Sequence, residues 1–403
     1  MSVQFYLIYL IYLILKMPFT CSSASSLLTF FLESPYGKSA LISTYLPDED
    51  YYHHPCAGDW FKQFVQECPS TKIPLALTLF FDHYEGTQNT SYGVYLLGIL
   101  NLRSEALLSP TSKMCLAVVP PQLDLPQVQE FILEELKELQ EYGLFLCNHE
   151  GVSTEYYVRI AFAAGDSHDL NNFIGIGSFG STYGCRSCWV NRKNIQNYTK
   201  KFPEKNYDEI RKLYLDISEL ANNGDLSGAK KLQKEYSLLS PPISSFILLS
   251  GNWCKWSPRD ILHAELLGLL KKELNNIFKY HLSSSQVEKL VQILSNFKFP
   301  RNEQHVVNKI NKVSCFNGRE IKNMISILPY GLFQIISHDE PWLECFIKHC
   351  HYYQLLSQTA IKKTNRLIME KQISDHHILY KSLYPSKAEK FFSSFITSNF
   401  RRF

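Results

Sequence analysis

The sequence predicts an α/β fold, a mixed sheet interrupted by a helical insertion and followed by further helices, and three observations carry that prediction. Three apolar runs of strand length, at 74–81, 92–101 and 114–119, succeed one another with short connections. An amphipathic helical stretch comes next, with Val128, Phe131, Ile132, Leu136 and Leu139 recurring on one face. A fourth apolar run, from Tyr156, then ends in Gly165-Asp166. That ending puts a lone carboxylate at the carboxyl end of a buried strand, where open α/β sheets carry their chemistry.

At 403 residues, 45% hydrophobic and 20% charged, the chain has the composition of a folded protein and is too apolar for wholesale disorder. A net charge of +3 is too small to name nucleic acid as a partner, because such binding shows as a local basic face more than as a total. The cysteines are scattered and odd in number, which favours a reducing compartment over a disulfide framework. Phe5 to Leu15 has the length of a signal-peptide core, yet no basic residue precedes it, and it is well short of the roughly 20 residues of a spanning helix. A buried strand is the alternative there.

In chain order, residues 1–72 form an amino-terminal extension with many turn signals and few periodic segments; Trp60, Phe61 and Phe64 suggest one short amphipathic helix. His53, His54 and Cys56 lack a second ligand pair nearby and read as an incidental loop cluster. The first long strand ends at Asp82, and the third is stopped by Pro120-Pro121. Asp124 can cap the following helix, which Gly143 ends. Residues 73–188 thus make the first part of the core. Residues 189–256 read as a helical insertion whose many lysines make a solvated face more readily than a DNA contact. In 257–335, Asp260 and His263 stand one helical turn apart, and a helix begins near Glu320 and stops before Pro329. Residues 336–403 are a helical carboxy-terminal region.

Strand, strand, strand, helix, strand is the order of a ribonuclease-H-like core. If the first and fourth strands are neighbours, Asp82 and Asp166 come within reach of one shared cation, as two-metal phosphoryl transfer requires. Cys185-Arg-Ser-Cys188 has the spacing of a metal clip, with a reduced or redox thiol pair as the alternative.

PhePheAspHisTyrGlu at 80–85, the 92–102 strand, AlaGlyAspSerHis at 164–168, GlyCysArgSerCys at 184–188, AspIleLeuHis at 260–263 and PheAsnGlyArgGlu at 316–320 together resemble, in order, the catalytic region of CACTA-type DDE transposases of the tnp2-like and Plavaka-like branch. The resemblance spans 73–330 and implies a DNA nuclease and strand transferase. It implies Asp82, Asp166 and Glu320 as catalytic ligands of Mg²⁺ or Mn²⁺, with Glu265, Glu273 and Glu288 as other acids for the third position. It also implies a structural zinc on Cys185, Cys188 and His263, with Asp260 or His281 as the fourth ligand. DNA as partner, a homodimer or higher assembly, no membrane, and the nucleus follow from the same likeness. Residues 1–72 show no zinc-finger spacing, so recognition of transposon ends is not accounted for. A zinc-stabilised DNA- or protein-binding module without cleavage activity is the other reading, and a secreted cysteine-containing protein a third.

Overall fold

The computed structural model describes residues 20–45, 51–52, 54–85, 91–120, 125–147, 150–165, 167–178, 180–194, 202–239, 249, 262–297, 307–358 and 360–385. The apolar run at 5–15, His53, Asp124, Asp166 and Asp260 lie outside the described residues. The chain divides into two compact units, one holding the sheet and residues 204–258, the other mainly residues 259–403.

The first unit is α/β. Its strands are β1 (Thr20–Cys21), β2 (Ile73–Glu85), β3 (Ser91–Ile99), β4 (Lys113–Val119), β5 (Leu144–Cys147) and β6 (Ser153–Gly165), and they lie in the order β1-β4-β3-β2-β6-β5. β2, β3 and β4 form the expected antiparallel meander, and β6 runs parallel to β2. Leu75, Ala76, Leu77, Leu79 and Phe81 of β2 are buried, as a central strand covered on both faces requires. In β6 the alternation changes phase at Ile160 and Ala161, two consecutive buried residues. There the pairing with β2 slips by one residue, from Leu77 opposite Ile160 to Thr78 opposite Phe162. This bulge moves the rest of β6 so that Gly165 faces Phe81.

The helices of this unit include α1 (Ala24–Glu33), α2 (Pro35–Ala40), α3 (Asp59–Glu67), α4 (Leu125–Tyr142), α5 (Ser167–Phe173), α6 (Tyr207–Asn222) and α7 (Leu226–Tyr236). Val128, Ile132, Leu136 and Leu139 of α4 are buried as the spacing predicts, but Phe131 points outward at 56% exposure. Gly143, at φ +82°, ends α4; a Cβ there would lie 2.4 Å from the Tyr156 carbonyl oxygen.

The amino-terminal extension is more regular than its turn signals suggest, and it is built into the sheet unit. β1 pairs with Val118 and Ala117 of β4. Phe61 and Phe64 of α3 pack with Ala76, Leu100 and Ala161. Asn101, fully buried, donates to the carbonyls of Ile42 and Pro74 and accepts from Ala76 N. The His54 ring bonds the Leu102 carbonyl at 2.7 Å and accepts from Cys56 N. These contacts give His54 and Cys56 a structural role.

The second unit is helical. α8 comprises three consecutive stretches, Leu262–Leu270, Lys271–Asn276 and Ile277–His281, of which the first and last are of π type. α9 (Ser284–Ser295), α10 (Gly318–Phe333), α11 (Pro341–Leu356) and α12 (Lys363–Leu383) follow. Capping boxes start α9 (Ser283 with Gln286) and α10 (Asn317 with Glu320). Pro329 sits inside α10 and does not stop it. The buried stripe Ile321, Met324, Leu328 and Leu332 continues across the proline, and its burial outweighs one lost backbone bond.

Candidate functional site

Two regions hold the candidate residues. In the sheet unit, β2 does not end at Asp82 but runs on to Glu85, with Asp82 opposite Val94 of β3. Among the described residues the parallel pairing of β2 with β6 reaches Phe81 and Gly165, the residues that immediately precede Asp82 and Asp166 in sequence. A Cβ on Gly165 would lie 2.3 Å from the Phe81 carbonyl oxygen, so only glycine lets the two strands approach this closely before the acid. The first and fourth long strands are therefore neighbours. Asp82 is half-buried, and one of its oxygens accepts from His83 N at 2.8 Å.

Glu320 belongs to the second unit and is buried at the start of α10. One oxygen accepts from Lys309 Nζ at 2.6 Å and the other from Asn317 N at 2.9 Å. The Lys309 bond, opposed by burial and helped by the Asn317 backbone, holds its carboxyl below the usual range. Glu288 is exposed on α9. Cys185 and Cys188 are both buried, and Cys185 Sγ accepts from Ser187 N at 3.2 Å. His263 lies in the first stretch of α8. His281 accepts or donates a 2.6 Å bond with Tyr384 Oη and stacks on Trp342, so its ring is engaged within the helical unit.

The helical unit buries a second constellation, which sequence reasoning did not assemble. Glu273 from α8, His349 from α11 and His376 from α12 bring one ligand atom each within 4.8 Å of one another, a group that could hold a metal ion. His349 Nδ1 and Glu273 Oε2 are in short contact, and His376 Nε2 lies 3.3 Å from the same oxygen. On its other side His349 Nε2 donates to Glu265 Oε2 at 3.1 Å, and Tyr352 Oη donates to that oxygen at 3.3 Å. Glu265 Oε1 is enclosed and has no hydrogen-bond partner among the described residues. All five side chains are at most 1% exposed.

Charge in so dry a place is set by pairing. Burial works to raise Glu273, but the imidazoles of His376 and His349 outweigh it and hold the carboxyl well below the usual range. Burial works to lower His349, but Glu273 and the bond to Glu265 prevail and raise it to about 9. His376 is lowered by burial and by His349, against the pull of Glu273. His377 is pushed down further by burial and the neighbouring imidazoles. The pairing of His349 with Glu273 on one side and Glu265 on the other thus outweighs burial, whereas at His376 and His377 burial prevails.

The winding of α8 brings the two glutamates to one partner. Positions i and i+8 of an α-helix are roughly 80° apart around the axis. Wider π turns, with i to i+5 bonds, use more residues per turn and bring Glu265 and Glu273 toward one face. Regular helical periodicity does not signal this alignment. The legible hints are two acids inside the apolar run of α8 and the adjacent pair His376-His377.

Among the described residues no helix is long and apolar enough to cross a membrane. Comparison with known proteins finds no family model that matches the chain and no curated protein that matches its sequence.

Proposed function

We propose that the chain is a transposase-derived domain that cuts and joins DNA, with a ribonuclease-H-like sheet as its catalytic frame. The observation that carries the reading is the parallel pairing of β2 with β6 beside the antiparallel β3 and β4, which among the described residues reaches Phe81 and Gly165, next in sequence to the two aspartates. Two carboxylates that each come one residue after a paired position of adjacent parallel strands suit a hard divalent ion, which takes oxygen ligands. Mg²⁺ or Mn²⁺ bound there would activate water or a 3′-hydroxyl and stabilise the leaving oxygen. Asp82 and Asp166 would be its ligands. Glu320 is proposed as the third, and to serve it would exchange the Lys309 bond for the ion.

Cys185, Cys188 and His263 are proposed as ligands of a structural zinc. The burial of both thiols at Cys-x-x-Cys spacing supports this, because a structural zinc takes such a pair into a closed set of ligands. DNA as partner, an oligomeric state of two or more and action in the nucleus belong to the same proposal. One observation favours a second reading, a non-catalytic zinc-stabilised binding module: both oxygens of Glu320 are already committed to the α10 cap and Lys309.

The test is nicking of supercoiled plasmid with Mn²⁺ by the full chain and by Asp166→Asn. Nicking by the wild type alone is the expected result. Nicking by neither protein overturns the catalytic reading in favour of the binding module, and equal nicking by both overturns the assignment of Asp166.

A further inference from the structure

We propose that Glu273, His349 and His376 form a metal site for a borderline divalent cation of the zinc class, with Glu265 orienting His349 from behind. Two imidazole nitrogens and one carboxylate oxygen are a ligand set suited to zinc. It differs from the all-oxygen set that magnesium prefers. The three donors converge on one point from three helices, α8, α11 and α12.

The distances fit replacement of a proton by an ion. Ligand atoms about 2.0–2.1 Å from a tetrahedral zinc are roughly 3.3 Å from each other. His376 Nε2 and Glu273 Oε2 are 3.3 Å apart. His349 Nδ1 is closer to that oxygen because the hydrogen bond occupies the position; on binding, its proton leaves to solvent and the ring moves back slightly.

Two independent features point to a ligand. First, His349 carries its second nitrogen against a buried carboxylate, Glu265, which also accepts from Tyr352; metal-binding histidines commonly have such a partner, which fixes the ring and its tautomer. Second, Glu265 keeps one enclosed oxygen without a hydrogen-bond partner among the described residues, an arrangement a closed structural network would avoid. The ring of His376 is held 4.4 Å from that of His349, and Asn276 of α8 donates to Tyr380 of α12 at 3.0 Å beside it. An ion here would therefore tie α8, α11 and α12 together.

The site is separate from the proposed cysteine clip, and the experiment keeps the two apart. The full chain, its His376→Gln variant, and both again with Cys185→Ser and Cys188→Ser would be stripped with a chelator and titrated with Zn²⁺ against a chromogenic competitor. Expected is one fewer zinc bound by His376→Gln than by its own parent, whether or not the cysteines are present. Equal stoichiometry in variant and parent overturns the proposal; loss of zinc from the cysteine variant alone counts only against the clip. Because His376→Gln can disturb folding, Glu265→Gln is the second arm. With helix content unchanged it should weaken zinc affinity about 10–100-fold, as loss of a supporting carboxylate does. An unchanged affinity would also overturn the proposal. With Cys185→Ser and Cys188→Ser in place, zinc should raise the melting temperature of the parent and not that of His376→Gln.

Discussion

The sheet unit and the helical unit place acids in opposite settings. In the sheet unit no carboxylate is buried among the described residues, and Asp82 stands half-buried next to the Phe81–Gly165 pair. In the helical unit Glu265 and Glu273 lie in the dry interior, held by His349, His376 and Tyr352. A half-buried acid costs little to maintain, because water still reaches its carboxylate. Acids in the interior are tolerated only with their partners, so each partner carries a large share of local stability.

That contrast orders the expected effects. The largest should come from Glu273→Ala, which leaves His349 buried without its main counter-charge. Urea denaturation should show a loss of about 3–5 kcal/mol, and a loss under about 1 kcal/mol would mean that the two units tolerate acids in the same way. Leu77→Ala, in the fully buried centre of β2, is expected to cost about 2–5 kcal/mol by the same measurement, through a cavity and not through charge. Asn317→Ala removes the side-chain acceptor at the start of α10 and should cost about 1 kcal/mol, read as a lower melting temperature. The smallest effect belongs to Asp82→Asn. Its melting curve should stay within about 0.5 kcal/mol of the wild type while Mn²⁺-dependent nicking, the activity proposed above, is lost.

The same contrast explains what could be read from the sequence. The three meander strands, α4 and the long fourth strand were legible because each keeps one regular period over several residues. The neighbouring short strand Leu144–Cys147 was not, since four residues ahead of a turn carry too little pattern. Phe131 fell on the predicted apolar face yet points outward, because a helical stripe is wider than the contact that buries it. Pro329 signalled an end that packing of Leu328 and Leu332 overrode. At the candidate sites, Gly165-Asp166 announced itself through one adjacent pair of residues. The Glu273, His349 and His376 group did not, because its members lie on three distant segments and depend on a helix wound more loosely than the standard period assumes.

The ties from Asn101 to Ile42 and from β1 to β4 have a practical consequence for anyone preparing this protein in shorter form. A version trimmed to begin at Ile73 would expose the outer edge of β4 and strip the aromatic cover from Ala76 and Ala161. Bare strand edges recruit other chains, so such a fragment should aggregate, whereas a version that keeps the residues ahead of Ile73 should stay dispersed.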